Sequence, residues 1–99
     1  MPAYVIAEHD VHDPVGYDKA RPGAAAAIAK HGGRYLTNGL GKTELIEGSE
    51  PPKRIVLLEF PDMEAARRFY ESQEYREART TRQAASRSRL ILAEGYTPK

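Results

Sequence analysis

The chain contains no cysteine, which excludes disulfides, thiolate nucleophiles and every sulfur-ligated metal site. Catalysis in such a chain must run on oxygen and nitrogen. No apolar run approaches the ~18 residues that a membrane-crossing helix needs. A surplus of one charge is missing as well. Fifteen Lys and Arg stand against fourteen Asp and Glu, so no global field draws the chain to nucleic acid. Met1-Pro2-Ala3-Tyr4 has neither the basic head nor the apolar stretch of a signal peptide, and the expected location is cytoplasmic. Phosphate-cradling glycine loops, nucleophile elbows and carboxylate metal clusters are also lacking.

The 99 residues are expected to form one domain. A chain of this size hides only about two-thirds of its unfolded surface, so association would help it. Ten of the fifteen cationic residues are arginine, and seven of these fall between Arg67 and Arg89 among Glu64, Glu71, Glu74 and Glu77. That mixture reads as solvated helix faces with (i, i+3) and (i, i+4) pairs rather than as a nucleic-acid patch.

The clearest local signal is Ile55–Phe60, a buried strand that passes through Pro61-Asp62 into a helix with apolar positions Met63, Ala66, Phe69 and Tyr70. Tyr4–Val11 makes a matching step, with Asp13 at the N-cap and Pro14 at the first helical position. That first helix is expected to run to Lys30 with a kink or break at Pro22-Gly23. His31-Gly32-Gly33 should stop it through a left-handed glycine cap. Arg34–Thr37 resumes as strand, Asn38–Gly41 is read as a glycine-bearing bulge, and Lys42–Glu47 as a continuation of the strand or its hairpin partner. Ser72 caps a further helical piece that places Tyr75, Ala78, Arg79 and Arg82 on one side, and Arg87–Glu94 closes as strand.

The order β-α-β-β-α-β, with right-handed crossovers, predicts an α+β ferredoxin-like fold: a four-stranded antiparallel sheet with its helices on one face. The other face would then show Tyr4, Ile6, Ile55, Leu57 and either Leu90/Leu92 or Ile91. That is more apolar surface than a monomer exposes, so two sheets are expected to pack face to face in a homodimer. Its interface should be in the obligate class, roughly 2,000 Å² or more.

Several fragments together resemble a bacterial family, the domain-of-unknown-function 1330 family of the dimeric α/β-barrel superfamily. They are Tyr4-Val5-Ile6-Ala7, Asp13 with Tyr17, Gly33-Arg34-Tyr35-Leu36, Glu47-Gly48, Leu58-Glu59-Phe60-Pro61, Ser72-Gln73-Glu74-Tyr75, Arg79 with Arg82, and Glu94-Gly95. The resemblance spans nearly the whole chain and implies the dimeric barrel but no reaction. Gln73 stands where the family usually has proline, and His9 where it usually has a bulky apolar residue. Neighbouring families include cofactor-free monooxygenases, lactone isomerases and haem enzymes, an analogy of fold only.

His9 is the foremost candidate for chemistry. It lies on the helix-facing side of the first strand near its C-terminal end, where tyrosines from both helices could converge and a proton can be exchanged near neutral pH. The alternative is a core histidine satisfied by a backbone carbonyl or a tyrosine hydroxyl. A metal shared by His9 and His12 would need a turn between them, since the two point to opposite faces of a strand. Glu59, aimed at the dimer interior, needs a cation such as Arg34 or Arg89, and a raised pKa would suit it for proton transfer. Tyr17, Tyr35, Tyr70 and Tyr75 read as core aromatics that could also line a pocket for a planar ligand. Arg79 and Arg82 could grip a carboxylate or enolate.

The expected function is a small-molecule enzyme without metal or organic cofactor, running acid/base chemistry (isomerisation, cyclisation or oxygenation) between sheet and helices. The rival is a non-catalytic ligand-binding or stress-associated homodimeric module. A haem-binding variant would have only His9 as axial ligand. No nucleic-acid or membrane partner is expected.

Overall fold

The structure, a computed structural model, describes residues 1–98. Seven elements follow in order: β1 (Ala3–Val11), α1 (Pro14–Lys30), β2 (Arg34–Asn38), β3 (Arg54–Phe60), α2 (Met63–Glu71), α3 (Gln73–Ala85) and β4 (Ser86–Glu94). The strands form one antiparallel sheet in the order β2-β3-β1-β4. With the helices on one face, this is the ferredoxin-like α+β arrangement expected from the pattern. No described helix is long and apolar enough to cross a membrane.

Local chemistry explains where the helices begin. Asp13 accepts from the Gly16 amide at 3.1 Å, Asp62 from Ala65 at 2.7 Å and Ser72 from Tyr75 at 3.2 Å, each satisfying a donor that a first helical turn leaves free. At the end of α1 the Gly33 amide donates to Ile28 O at 2.8 Å and Gly32 to Ala29 O at 3.1 Å, with Gly32 at φ +79°. That is the paired bonding of a left-handed glycine cap.

Four expectations change. Pro22 does not interrupt α1, which runs unbroken through it; the lost amide leaves the Asp18 carbonyl without its helical donor and the helix tolerates that. Residues 42–47 form neither strand nor hairpin partner, because β2 ends at Asn38 and the chain crosses to β3 in irregular structure. The register shift of β2 falls between Tyr35 and Thr37, not at Asn38–Gly41. Finally, β4 begins at Ser86 directly after α3. Its junction is held from afar, the Ala85 carbonyl accepting from the amides of His12 and Asp13, each at 3.1 Å.

Sheet register sorts the side chains into rows. Facing the helices are Leu58-Val5-Leu92, then Val56-Ala7-Leu90, then Arg54-His9-Ser88. The first two rows pack with Ala27, Ile28, Ala66, Phe60 and Phe69 into the core. The third row is polar, and it ends the apolar layer. The opposite face carries Tyr4, Ile6, Ile55, Leu57, Glu59 and Ile91, of which Ile6 and Ile91 are about two-fifths exposed. Ile91, rather than Leu90 and Leu92, is therefore the β4 residue on the bare side.

Candidate functional site

Where the apolar rows give way to the polar one, α1 stands off the sheet and a cavity of ≈ 500 Å³ opens between the layers. Its sheet wall includes Val5, Ala7, His9, Val56 and Leu58; α1 contributes Tyr17, Ala20 and Ala24; Tyr35, Tyr75 and Arg82 close the sides. Of the residues singled out in the sequence, the fold thus brings His9, Tyr17, Tyr35, Tyr75 and Arg82 together. Glu59 and Arg79 stay outside this cavity, and Tyr70 does not line it although its ring lies 6.0 Å from that of Tyr75.

Glu59 lies on the bare sheet face. It accepts from Arg34 Nε at 2.7 Å and from the Tyr4 hydroxyl at 3.1 Å. The Arg34 hydrogen bond holds its carboxyl below the usual carboxylate range, and the bond to Glu59 raises the Tyr4 phenol. The raised pKa that would suit Glu59 for proton transfer is the reverse of what the geometry gives. Arg79 donates to the Tyr70 carbonyl at 2.9 Å and lays its guanidinium over that ring, 4.9 Å from the centroid. The pair clamps α2 to α3, and Tyr70 lines an adjoining cavity of ≈ 470 Å³ beside β4, which shares Val5, Arg82 and Leu90 with the first.

His9 is buried, with only 5% of its surface exposed. Its ring tilts against Tyr17, centroids 5.5 Å apart, while the Arg54 guanidinium covers the same tyrosine at 4.9 Å. Burial, followed by the charges of Arg82 and Arg54, lowers the His9 pKa from 6.5 to about 4, so the imidazole is neutral at pH 7. Burial also raises Tyr17 and Tyr35 above the ordinary phenol value.

The hydrogen-bond partner of His9 is a serine, not the expected tyrosine. Nδ1 lies 2.6 Å from Ser88 Oγ, Ser88 Oγ lies 2.9 Å from Ser86 Oγ, and Ser86 Oγ donates to the Arg82 carbonyl at 2.8 Å. A carbonyl only accepts and a hydroxyl has one proton, so the direction of the whole chain is determined. Ser86 gives its proton to the carbonyl, Ser88 gives its proton to Ser86, and His9 must donate Nδ1–H to Ser88. Neutral His9 therefore keeps its lone pair on Nε2, which has no hydrogen bond to the described residues.

Arg82 is the second unusual group. It is 7% exposed, its Nε donates to the Tyr75 hydroxyl over a long 3.3 Å, and no carboxylate among the described residues pairs with it. Its Nη2 is buried with no partner among the described residues. Sequence reasoning missed Ser86 and Ser88; their signal was the alternation Ser86, Ser88, Leu90, Leu92 on one face of a strand. It also missed Arg54, which stands opposite His9 in register. Among the described residues no group of three or more His, Asp or Glu could hold a metal ion; His9 is buried while His12 is exposed at the turn.

An α+β protein of ferredoxin-like fold, with a cavity holding a buried histidine and a buried arginine, is the class these features define. The chain belongs to the family described as Domain of unknown function (DUF1330), whose pattern matches residues 2–96. Its structure is similar to that of a protein of unknown function from Rhodopseudomonas palustris (TM-score 0.74, 23% identity, 98% of this chain and 84% of that one). It is also similar to SnoaB, a cofactor-independent oxygenase from Streptomyces nogalater (TM-score 0.65, 15% identity, 98% and 95%). A third likeness is to Rv0793 from Mycobacterium tuberculosis (TM-score 0.57, 17% identity, 99% and 98%). At these identities the likeness is one of fold. No curated protein matches the chain.

Proposed function

We propose that the protein is a small-molecule enzyme that performs cofactor-free acid/base chemistry on an enolisable substrate in the cavity between sheet and helices. The observation that carries this reading is the serine-directed tautomer of His9. Nδ1 is held as a donor, while Nε2 is left as an acceptor on a residue that lines the cavity. Isomerisation, cyclisation and oxygenation share a first step that suits it. A substrate proton moves to Nε2, the C–H electron pair passes into the neighbouring carbonyl, and an enolate faces an imidazolium.

An empty site disfavours that imidazolium, since Arg82 and Arg54 add to the effect of burial in lowering His9. Negative charge developing on the substrate offsets both guanidiniums, so His9 gains basicity as the enolate forms. Tyr17, Tyr35 and Tyr75 supply the walls and phenol hydroxyls. Glu59 stands apart from this cavity, and its expected part in catalysis is set aside in favour of a structural one at the sheet face.

The proposal is tested by following deuterium wash-in from D₂O at the α-carbon of a panel of enolisable aromatic ketones and lactones. The wild-type protein should speed exchange for at least one member, and His9→Phe should slow it by roughly 10²–10⁴-fold with the fold intact. Exchange unaffected by His9→Phe would sink the catalytic reading. The low basicity of the unliganded His9 favours one rival, a binding module that uses Nε2 only as an acceptor; saturable ligand binding without exchange would establish it.

A homodimer closed through the bare sheet face belongs to the same proposal, supported by the apolar residues Ile6, Leu57 and Ile91 lying there. Sedimentation should give twice the 11.0 kDa chain mass; a monomer at micromolar concentration would overturn it.

A further inference from the structure

We infer that the cavity takes a flat, largely apolar organic acid that also carries a hydroxyl or comparable donor, its anion answering Arg82 and its donor answering His9 Nε2. This deepens the proposed function by naming the class of compound, yet it requires only binding and not turnover.

The first half rests on charge. Arg82 is buried to more than nine-tenths with no carboxylate partner and with Nη2 unbonded. A cation in that state carries most of its desolvation cost uncompensated, whereas native folds pair buried charges. Every other ion pair of the described residues is at the surface or on the bare face, and none reaches this side chain. Asp18, at the cavity mouth, is already 3.7 Å from Arg21. Arg82 also borders the cavity beside β4, where Glu71 lines the wall without forming an ion pair with it; the counter-charge is therefore supplied from outside the protein, and the guanidinium fork suits a carboxylate or a vinylogous acid.

The second half rests on proton direction. The Arg82 carbonyl forces Ser86, Ser88 and then His9 to donate in sequence, so Nε2 offers a lone pair and no proton. A simple carboxylate meeting that nitrogen would bring two acceptors together. A ligand that satisfies both groups carries an acceptor at one place and a donor at another. The walls combine the small Ala7, Ala20 and Ala24 with the rings of Tyr17, Tyr35 and Tyr75, which offer faces to a planar ligand. A fused or conjugated ring system suits such a lining.

The probes are hydroxynaphthoates, tried as ring isomers. Each is compared with the matching hydroxynaphthamide, which loses the charge, and the matching methoxynaphthoate, which loses the donor. Calorimetric titration of the full chain near pH 7.5 should show the best hydroxynaphthoate binding about 10- to 100-fold more tightly than either comparator. Arg82→Met should abolish the preference for acid over amide, and His9→Phe the preference for hydroxyl over methoxy. Because the comparison among ligands is made on the wild-type protein, a variant that fails to fold does not decide the matter. Equal affinity for acid and amide would overturn the assignment, as would equal affinity for hydroxyl and methoxy compounds, or no binding by any isomer at millimolar concentration. Tight binding of the hydroxy acid with no deuterium exchange in any compound would leave this inference standing and dismiss the enzymatic one.

Discussion

Ser88 stands directly across the β1–β4 ladder from His9, and its hydroxyl lies 2.6 Å from the imidazole Nδ1. This contact makes the histidine a directed acceptor rather than a freely tautomerising one.

Ser88→Ala should release the tautomer. In ¹⁵N spectra of the wild-type protein at pH 7, His9 Nδ1 should appear as a protonated nitrogen and Nε2 as an unprotonated one; the variant should show a mixture. Stability should fall by only ~1–2 kcal/mol, while any exchange activity falls roughly 10–100-fold, the usual scale for a residue that orients a reacting group. Ser88→Thr should restore most of it. An unprotonated Nδ1 in the wild type would refute the directional argument outright.

The pH dependence of folding follows from the same residue. The folded His9 pKa, about 4, lies below the unfolded value near 6.5. Between those values the unfolded chain binds the extra proton, so the stabilising contribution is complete above pH 6.5 and is lost as pH falls toward 4. Between pH 7 and pH 5 it should amount to about 2 kcal/mol. Subtracting the denaturation curves of His9→Phe from those of the wild type removes the carboxylates common to both. A difference independent of pH would show that the imidazole is not buried neutral.

Glu59→Gln separates the two faces of the sheet. Ligand affinity in the cavity should be unchanged, since Glu59 bonds Arg34 and Tyr4 on the other side. The concentration dependence of sedimentation should change instead, because the substitution leaves Arg34 with a neutral partner at the bare face. Loss of ligand binding with unaltered association would reverse the assignment of faces.

Gly33→Ala tests the packing that seats β2. A Cβ there would lie 2.5 Å from Phe60 Cε1 and 3.0 Å from Ile28 Cγ2, and Phe60 is among the most deeply buried side chains. The ring cannot withdraw without disturbing Phe69, 5.2 Å away. Thermal or urea unfolding should register a loss of about 1–3 kcal/mol. A neutral result would mean that the end of α1 and β2 separate more readily than the contacts imply.

How much was legible in the sequence depended on how local the cause was. Asp13, Asp62 and Ser72 act within one turn, so their caps could be read from neighbouring residues. Alternation in Tyr4–Val11 placed His9 on the helix side for a similar reason, and Tyr17 and Arg82 followed from helical spacing. The irregular course of 42–47 was not legible, because Glu44-Leu45-Ile46 has strand composition and only the absence of a partner strand denies it that form. The serine chain left only the faint alternation of Ser86, Ser88, Leu90 and Leu92, for a different reason. Ser86 and Ser88 gain meaning only when α3 ends without a turn, and the carbonyl that ends it is bonded by amides some seventy residues earlier in the chain.

Arg82 enters the site twice, through its guanidinium and through its backbone carbonyl, and the two contributions respond differently to mutation. Any substitution at this position other than lysine deletes the positive charge, yet every amino acid supplies the same carbonyl to Ser86. The orientation of protons along Ser86, Ser88 and His9 is thus shielded from drift at the residue that sets it. Relatives of this protein could exchange a cationic site for a neutral or acidic one, and so change which compounds they accept, without re-evolving the acceptor nitrogen on which the chemistry would depend.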